Sequence, residues 1–136
     1  MTTSTWKVIG AAVLVLVLAV AGGWIWGSSA GRSAERELAG LRLQHHLTNA
    51  RSRILAARVD LYRLNFGSAT TNLEEAKAPL EAAAGMLDRE GDPERAAAVR
   101  SAIQAADEAR RLAGKVDQAA QGPADRALAE IQRAQP

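Results

Sequence analysis

The sequence predicts an all-α protein: one N-terminal transmembrane helix continuing into an elongated helical hairpin or a three-to-four-helix bundle. Three observations predict it. Residues Val8–Trp26, VIGAAVLVLVLAVAGGWIW, run for nineteen positions without an ionisable side chain. Beyond them, apolar residues recur at alternating steps of three and four, the spacing of helices packed side by side. Short clusters such as Arg89-Glu90-Gly91-Asp92-Pro93 then interrupt that spacing with helix stop and start signals.

The first stretch would span roughly 28 Å as a helix, close to the ~30 Å hydrocarbon core of a bilayer. A helix satisfies its own backbone hydrogen bonds, as lipid demands. The expected division is a polar tail at 1–7, a transmembrane helix at 8–27 and a membrane-extrinsic helical domain at 28–136. Trp6 and Lys7 at one end, and Trp24 and Trp26 near the other, suit interfacial anchors. Ala19, Gly23 and Gly27 stand four apart on one face, and Gly23-x-x-x-Gly27 is a pattern that lets helices approach closely in lipid. The span carries no His, Asp, Glu or Arg, so it offers no usual cofactor ligand or proton relay. Ser28-Ser29-Ala30 would suit signal-peptide cleavage, but the apolar run exceeds the usual ~7–15-residue core of such signals, so an uncleaved anchor is expected.

Four helices are expected outside the membrane, at about 32–64, 68–90, 93–120 and 124–134. The first carries the row Gly40, Leu43, Leu47, Ala50, Ile54, Ala57, Leu61, Leu64, and would reach roughly 50 Å at helical rise. Asn65-Phe66-Gly67-Ser68 ends it, with Gly67 as a left-handed cap and Ser68 or Thr71 capping the next helix. The second carries Ala69, Leu73, Ala76, Leu80, Ala83 and Leu87, with Pro79 expected to kink it. Gly91 stops that helix, Asp92 caps the third and Pro93 fills its first position. The third row is Val99, Ala102, Ala106, Ala109, Ala113, Val116 and Ala120, stopped by Gly122-Pro123. Leu128 and Ile131 supply the last, short helix. Leu38, Leu41, Leu43 and Leu47, near the membrane, are expected to lie beyond the shorter helices and to need a partner's cover.

Charge distribution adds detail to a net charge of only +2. Seven arginines fall within residues 32–66, whereas acids dominate 68–91, which suggests that the first two helices pair. Arg32, Arg36 and Arg42 lie where anionic headgroups would be contacted. They also favour a cytoplasmic extrinsic domain, while the short amino-terminal tail favours the extracytoplasmic side of the inner membrane, the expectation adopted. His45 and His46 are adjacent, hence about 100° apart on a helix, and do not chelate one ion together. Glu74-Glu75 and Asp107-Glu108 read as solvated helix faces. No phosphate loop, nucleophile elbow or metal motif is present, and no basic patch interleaved with aromatics suggests nucleic acid.

Asn65-Phe66-Gly67 followed by Ala69-x-x-x-Leu73-x-x-Ala76 resembles the turn and second helix of a tetratricopeptide repeat. The resemblance covers about 20 residues, has no second copy at a ~34-residue period, and implies helix-hairpin packing without a function. The expectation is therefore a non-enzymatic, single-span helical scaffold without cofactor, metal or small-molecule substrate. Its partners would be the bilayer and the other subunits of a respiratory or photosynthetic membrane complex. A membrane-tethered coiled-coil adaptor that binds a second copy of itself and recruits soluble proteins is the alternative.

Overall fold

The computed structural model describes residues 34–135. The chain divides into two compact units, Met1–Leu38 and Ala39–Pro136. Of the first unit, residues 34–38 are described, and they are helical. The predicted span, with Trp6, Lys7, Ala19, Gly23, Trp24, Trp26 and Gly27, lies outside the described residues, as does Arg32. Among the described residues no helix is long and apolar enough to cross a membrane, and no strand occurs.

Four α-helices make up the described chain: α1 over 34–62, α2 over Phe66–Glu90, α3 over Pro93–Ala113 and α4 over Gln121–Ala134. A 3-10 turn, Gln118–Ala120, precedes α4. Neighbours are antiparallel, as cross-helix polar contacts reveal. Arg53 pairs with Glu75 and Asp60 with Asn72, so position numbers rise on α1 as they fall on α2. The same reversal relates α3 to α2 through Arg100–Asp88 and Arg110–Glu74. It relates α4 to α1 through Arg58–Asp125 and Arg51–Gln135, and α4 to α3 through Arg126–Glu108 and Arg95–Ala134. Residues 39–135 thus form an up-down-up-down four-helix bundle with α1 and α3 each set between α2 and α4.

Heptad rows supply the core. On α1 the buried residues are Leu43, Leu47, Ala50, Ile54, Ala57 and Leu61; on α2 they include Ala69, Leu73, Ala76, Leu80, Ala83 and Leu87. Leucine or isoleucine every seven residues alternates with alanine, so a large side chain on one helix meets a small one's space on its neighbour. On α3 and α4 the buried rows are chiefly alanine, with Val99 and Ile131 the large members. Alanine allows close helix approach, whereas each buried Leu or Ile contributes about 1.5–3 kcal/mol. The larger hydrophobic contribution therefore lies on α1 and α2. No buried polar or charged residue occurs among the described residues.

Three turns share one construction. Each helix ends in a left-handed residue, followed at once by an Asn or Asp that caps the next element. At the first turn Leu64 takes φ 59°, the Asn65 N–H donates to the Asp60 carbonyl at 2.8 Å, and the Asn65 side chain accepts from the Ser68 N–H. At the second, Gly91 takes φ 74°, the Asp92 N–H donates to Leu87, and the Asp92 carboxylate accepts from Arg95 N–H. At the third, Val116 takes φ 58°, the Asp117 N–H donates to Leu112, and the Asp117 carboxylate accepts from Ala119 N–H. The six-residue backbone bond and left-handed residue make each a Schellman ending.

Several boundaries differ from the sequence expectation. Leu64, not Gly67, is the left-handed residue, and Asn65 rather than Ser68 or Thr71 caps α2, which starts at Phe66. Residues 118–120 do not continue α3: it ends at Ala113, and Val116 turns outward at 68 % exposure. Gly122-Pro123 does not stop a helix but lies in the first turn of α4. Proline is tolerated there because first-turn N–H groups have no intrahelical acceptor to lose. α2 runs through Pro79 to Glu90 without ending, with Pro79 buried.

Candidate interaction surface

Two helix faces of α1 behave oppositely. Its inner row, Leu43 to Leu61, is buried. Two positions before each inner residue lies an outward row, Leu41, His45, Thr48, Ser52, Leu55 and Val59, which Tyr62 continues. Every member is exposed. A two-residue offset rotates a helix by about 200°, which places this row opposite the core. Its steps are four, three, four, three, four and three, a second heptad seam with apolar ends and a polar middle. Leu41, Val59 and Tyr62 are 57, 48 and 58 % exposed. Leu38, in the first unit, is also exposed and continues the spacing in the sequence.

The expectation that Leu38, Leu41, Leu43 and Leu47 lie beyond the shorter helices and need a partner's cover is corrected for Leu43 and Leu47. Leu43 and Leu47 are buried in the bundle; Leu38 and Leu41 are exposed. Leu41 lies on a different face of α1 from Leu43 and Leu47, and the antiparallel register set by Arg53–Glu75 and Asp60–Asn72 brings the carboxyl end of α2 to the level of Leu43. Arg36 and Arg42 are exposed. The rings of His45 and His46 meet edge to face with centroids 6.0 Å apart.

Around the tyrosine end of the row, electrostatics are organised by Arg58. Its guanidinium lies 5.7 Å from the Tyr62 ring centroid and its Nε is 2.9 Å from the Asp125 carboxylate on α4. Hydrogen bonding with Tyr62, then the Asp125 charge, raise the Arg58 pKa above its ordinary value. Arg58 is thus paired within its own chain. The acids of α2 are shared rather than reserved for α1: Glu75 pairs with Arg53, but Glu74 pairs with Arg110 and Asp88 with Arg100 of α3.

Open concavities lie between helices of the bundle. One of about 420 Å³ lies between α3 and α4 beside Arg95, Ser101, Glu130 and Arg133. Another of about 290 Å³ lies between α1 and α4 beside Arg51, Leu55, Arg58 and Asp125. Two ion pairs lie among their lining groups: Arg133 with Glu130 at 2.8 Å and Arg58 with Asp125 at 2.9 Å. Among the described residues no three His, Cys, Asp or Glu side chains converge as metal ligands would.

No family model, curated protein or solved structure matches the chain. What the residues themselves define is a heptad-packed helical bundle with an outward seam on its first helix.

Proposed function

We propose that this chain is a non-enzymatic, membrane-anchored helical scaffold whose bundle presents α1 to protein partners. The observation that carries the reading is the pairing of an uncharged nineteen-residue stretch, Val8–Trp26, with a bundle whose first helix keeps a second, exposed heptad row. An apolar run of that length suits a bilayer span. A heptad row in water suits another helix. About half of the Asp, Glu, Lys and Arg side chains among the described residues form ion pairs, several of them from helix to helix, which suits a structural part.

In the leading form of this proposal the chain is an accessory or assembly subunit of a larger membrane complex, docked beside other spans through Ala19, Gly23 and Gly27. In the second form it associates with its own copies, which the exposed row of α1 favours. Mild-detergent extraction followed by a native gel separates the two: a large heteromeric band supports the first, a small homo-oligomer the second. Alkaline carbonate extraction tests the anchor itself. Retention in the pellet is expected, and release of the intact chain into the aqueous phase would sink it. Gly23→Leu with Gly27→Leu should free the chain from its complex under the first form, and unchanged co-purification would count against docking through the span.

A further inference from the structure

We infer that α4 is a releasable strap: it undocks from the bundle as a unit, about a hinge at Val116, while α1, α2 and α3 stay packed. The inference concerns residues 39–135 and does not rest on the proposed anchor or scaffold role.

Burial singles out α4. Among the described residues the largest fully buried side chains are Leu47, Ile54 and Leu61 on α1, Leu73, Leu80 and Leu87 on α2, Val99 on α3 and Ile131 on α4. Beside Ile131, α4 buries Pro123 and the small side chains of Ala124, Ala127 and Ala134. Apolar stabilisation scales with the area removed from water, so the shortest helix brings one large side chain where α1 and α2 bring three each. Undocking leaves α2 between α1 and α3, with the leucine rows of α1 and α2 still on adjacent helices.

The polar ties of α4 are mostly at the surface. Asp125 meets Arg58 at 2.9 Å and Arg126 meets Glu108 at 3.0 Å, all on exposed side chains. Gln135, just past the helix, accepts from Arg51 at 3.5 Å. Water replaces such exposed contacts at little cost. One tie is partly buried, from Arg95 Nε to the Ala134 carbonyl at 2.8 Å. The start of α4 is also weakly held. Asn65 and Asp92 cap α2 and α3 through their side chains, whereas Ala120, before α4, provides no side-chain cap. A helix of fourteen residues is marginal in water without packing, so α4 off the bundle melts instead of persisting.

Val116 supplies the hinge. Its φ of 58° is an outlier for a β-branched residue, and at 68 % exposure its side chain offers little packing in return. Leu64 has a similar φ of 59°, but it joins the two helices richest in buried leucine. At Val116 the strained residue leads into the helix with the smallest apolar contribution. Undocking therefore relieves strain where little packing opposes it. Closed, the strap hides the sides of α1 and α3 that face α4; open, it bares them.

Amide exchange of the full-length chain in mild detergent, resolved along the sequence, tests the strap. The amides of α4 should share one opening constant and exchange at least about tenfold faster, after correction for intrinsic rates, than the slowest amides of α1 and α2. Equal protection in all four helices would mean that α4 leaves only when the whole bundle unfolds, and would overturn the inference. A gradient of exchange rising from Gln121 to Ala134 would mean fraying from the end, and would overturn it too. Val116→Gly removes strain from the closed form and should slow exchange throughout α4 by roughly fivefold; unchanged or faster exchange would refute the hinge. Ile131→Ala should leave α4 unprotected while α1 and α2 keep slowly exchanging amides. Loss of protection in all four helices together would show a single cooperative unit and refute the strap.

Discussion

Burial divides residues of the same type into two classes on α1. Ile54 is fully buried and Leu41 is 57 % exposed, though both belong to heptad rows of one helix. Ile54→Ala should lower stability by about 2–5 kcal/mol, since its neighbours are themselves packed and fill the void only in part. Leu41→Ala should change it by less than about 0.5 kcal/mol. Urea titration of the full chain, followed by circular dichroism, reads both, and equal losses would contradict the assignment of faces. Val116 is a second informative residue. It is β-branched, at φ 58°, and 68 % exposed, so its side chain contributes little packing while its backbone carries strain. Val116→Gly should raise stability by about 1 kcal/mol, visible as a higher thermal midpoint; a lower midpoint would mean that the side chain contributes more than the strain costs.

Elements begin and end here by one repeated device: a left-handed residue followed by Asn or Asp. The side-chain oxygen accepts an N–H that would otherwise lack a partner at the helix start. Asp92→Ala should therefore cost about 1 kcal/mol. The effect has a second component, because Asp92 also lies 3.6 Å from Arg95, whose Nε donates to the Ala134 carbonyl at 2.8 Å. Amide exchange should accordingly quicken in the first turn of α3 and, more weakly, at the carboxyl end of α4. Exchange confined to α3 would show that Arg95 holds α4 without help from Asp92. Only the Gly91-Asp92-Pro93 version of this turn was plain in the sequence, because glycine advertises a positive φ. Leu64-Asn65 and Val116-Asp117 use residues that ordinarily avoid that region, so sequence rules point to Gly67 and Gly122-Pro123 as the stops instead. The caps Asn65 and Asp117 were the available signal.

Across the whole bundle, charge links every pair of neighbouring helices but at the surface. Arg58–Asp125, Arg110–Glu74 and Arg126–Glu108 all retain two-fifths or so of their side-chain exposure or more. Exposed pairs each contribute roughly 0–1 kcal/mol and are screened by salt. Raising sodium chloride from low concentration to about 1 M, where the Debye length is about 3 Å, should therefore shift the thermal midpoint only slightly. A large loss would mean that the ion pairs, rather than the Leu-Ala rows, hold the four helices together. Such pairs are better suited to fixing which helices become neighbours than to supplying the stability of the fold.

Local composition alone was enough to specify helices and their inward rows. Those properties depend on residues within seven positions of one another. The row Leu43, Leu47, Ala50, Ile54, Ala57, Leu61 was legible for that reason, and it is buried throughout. Tertiary structure decided what spacing cannot express: that α2 reaches far enough to cover Leu43 and Leu47, that Arg58 turns to α4 instead of α2, and that the row from Leu41 to Tyr62 is left facing water. A heptad pattern says that a face wants a neighbour. Whether the same chain provides it depends on helix lengths and the order in which the helices close the bundle.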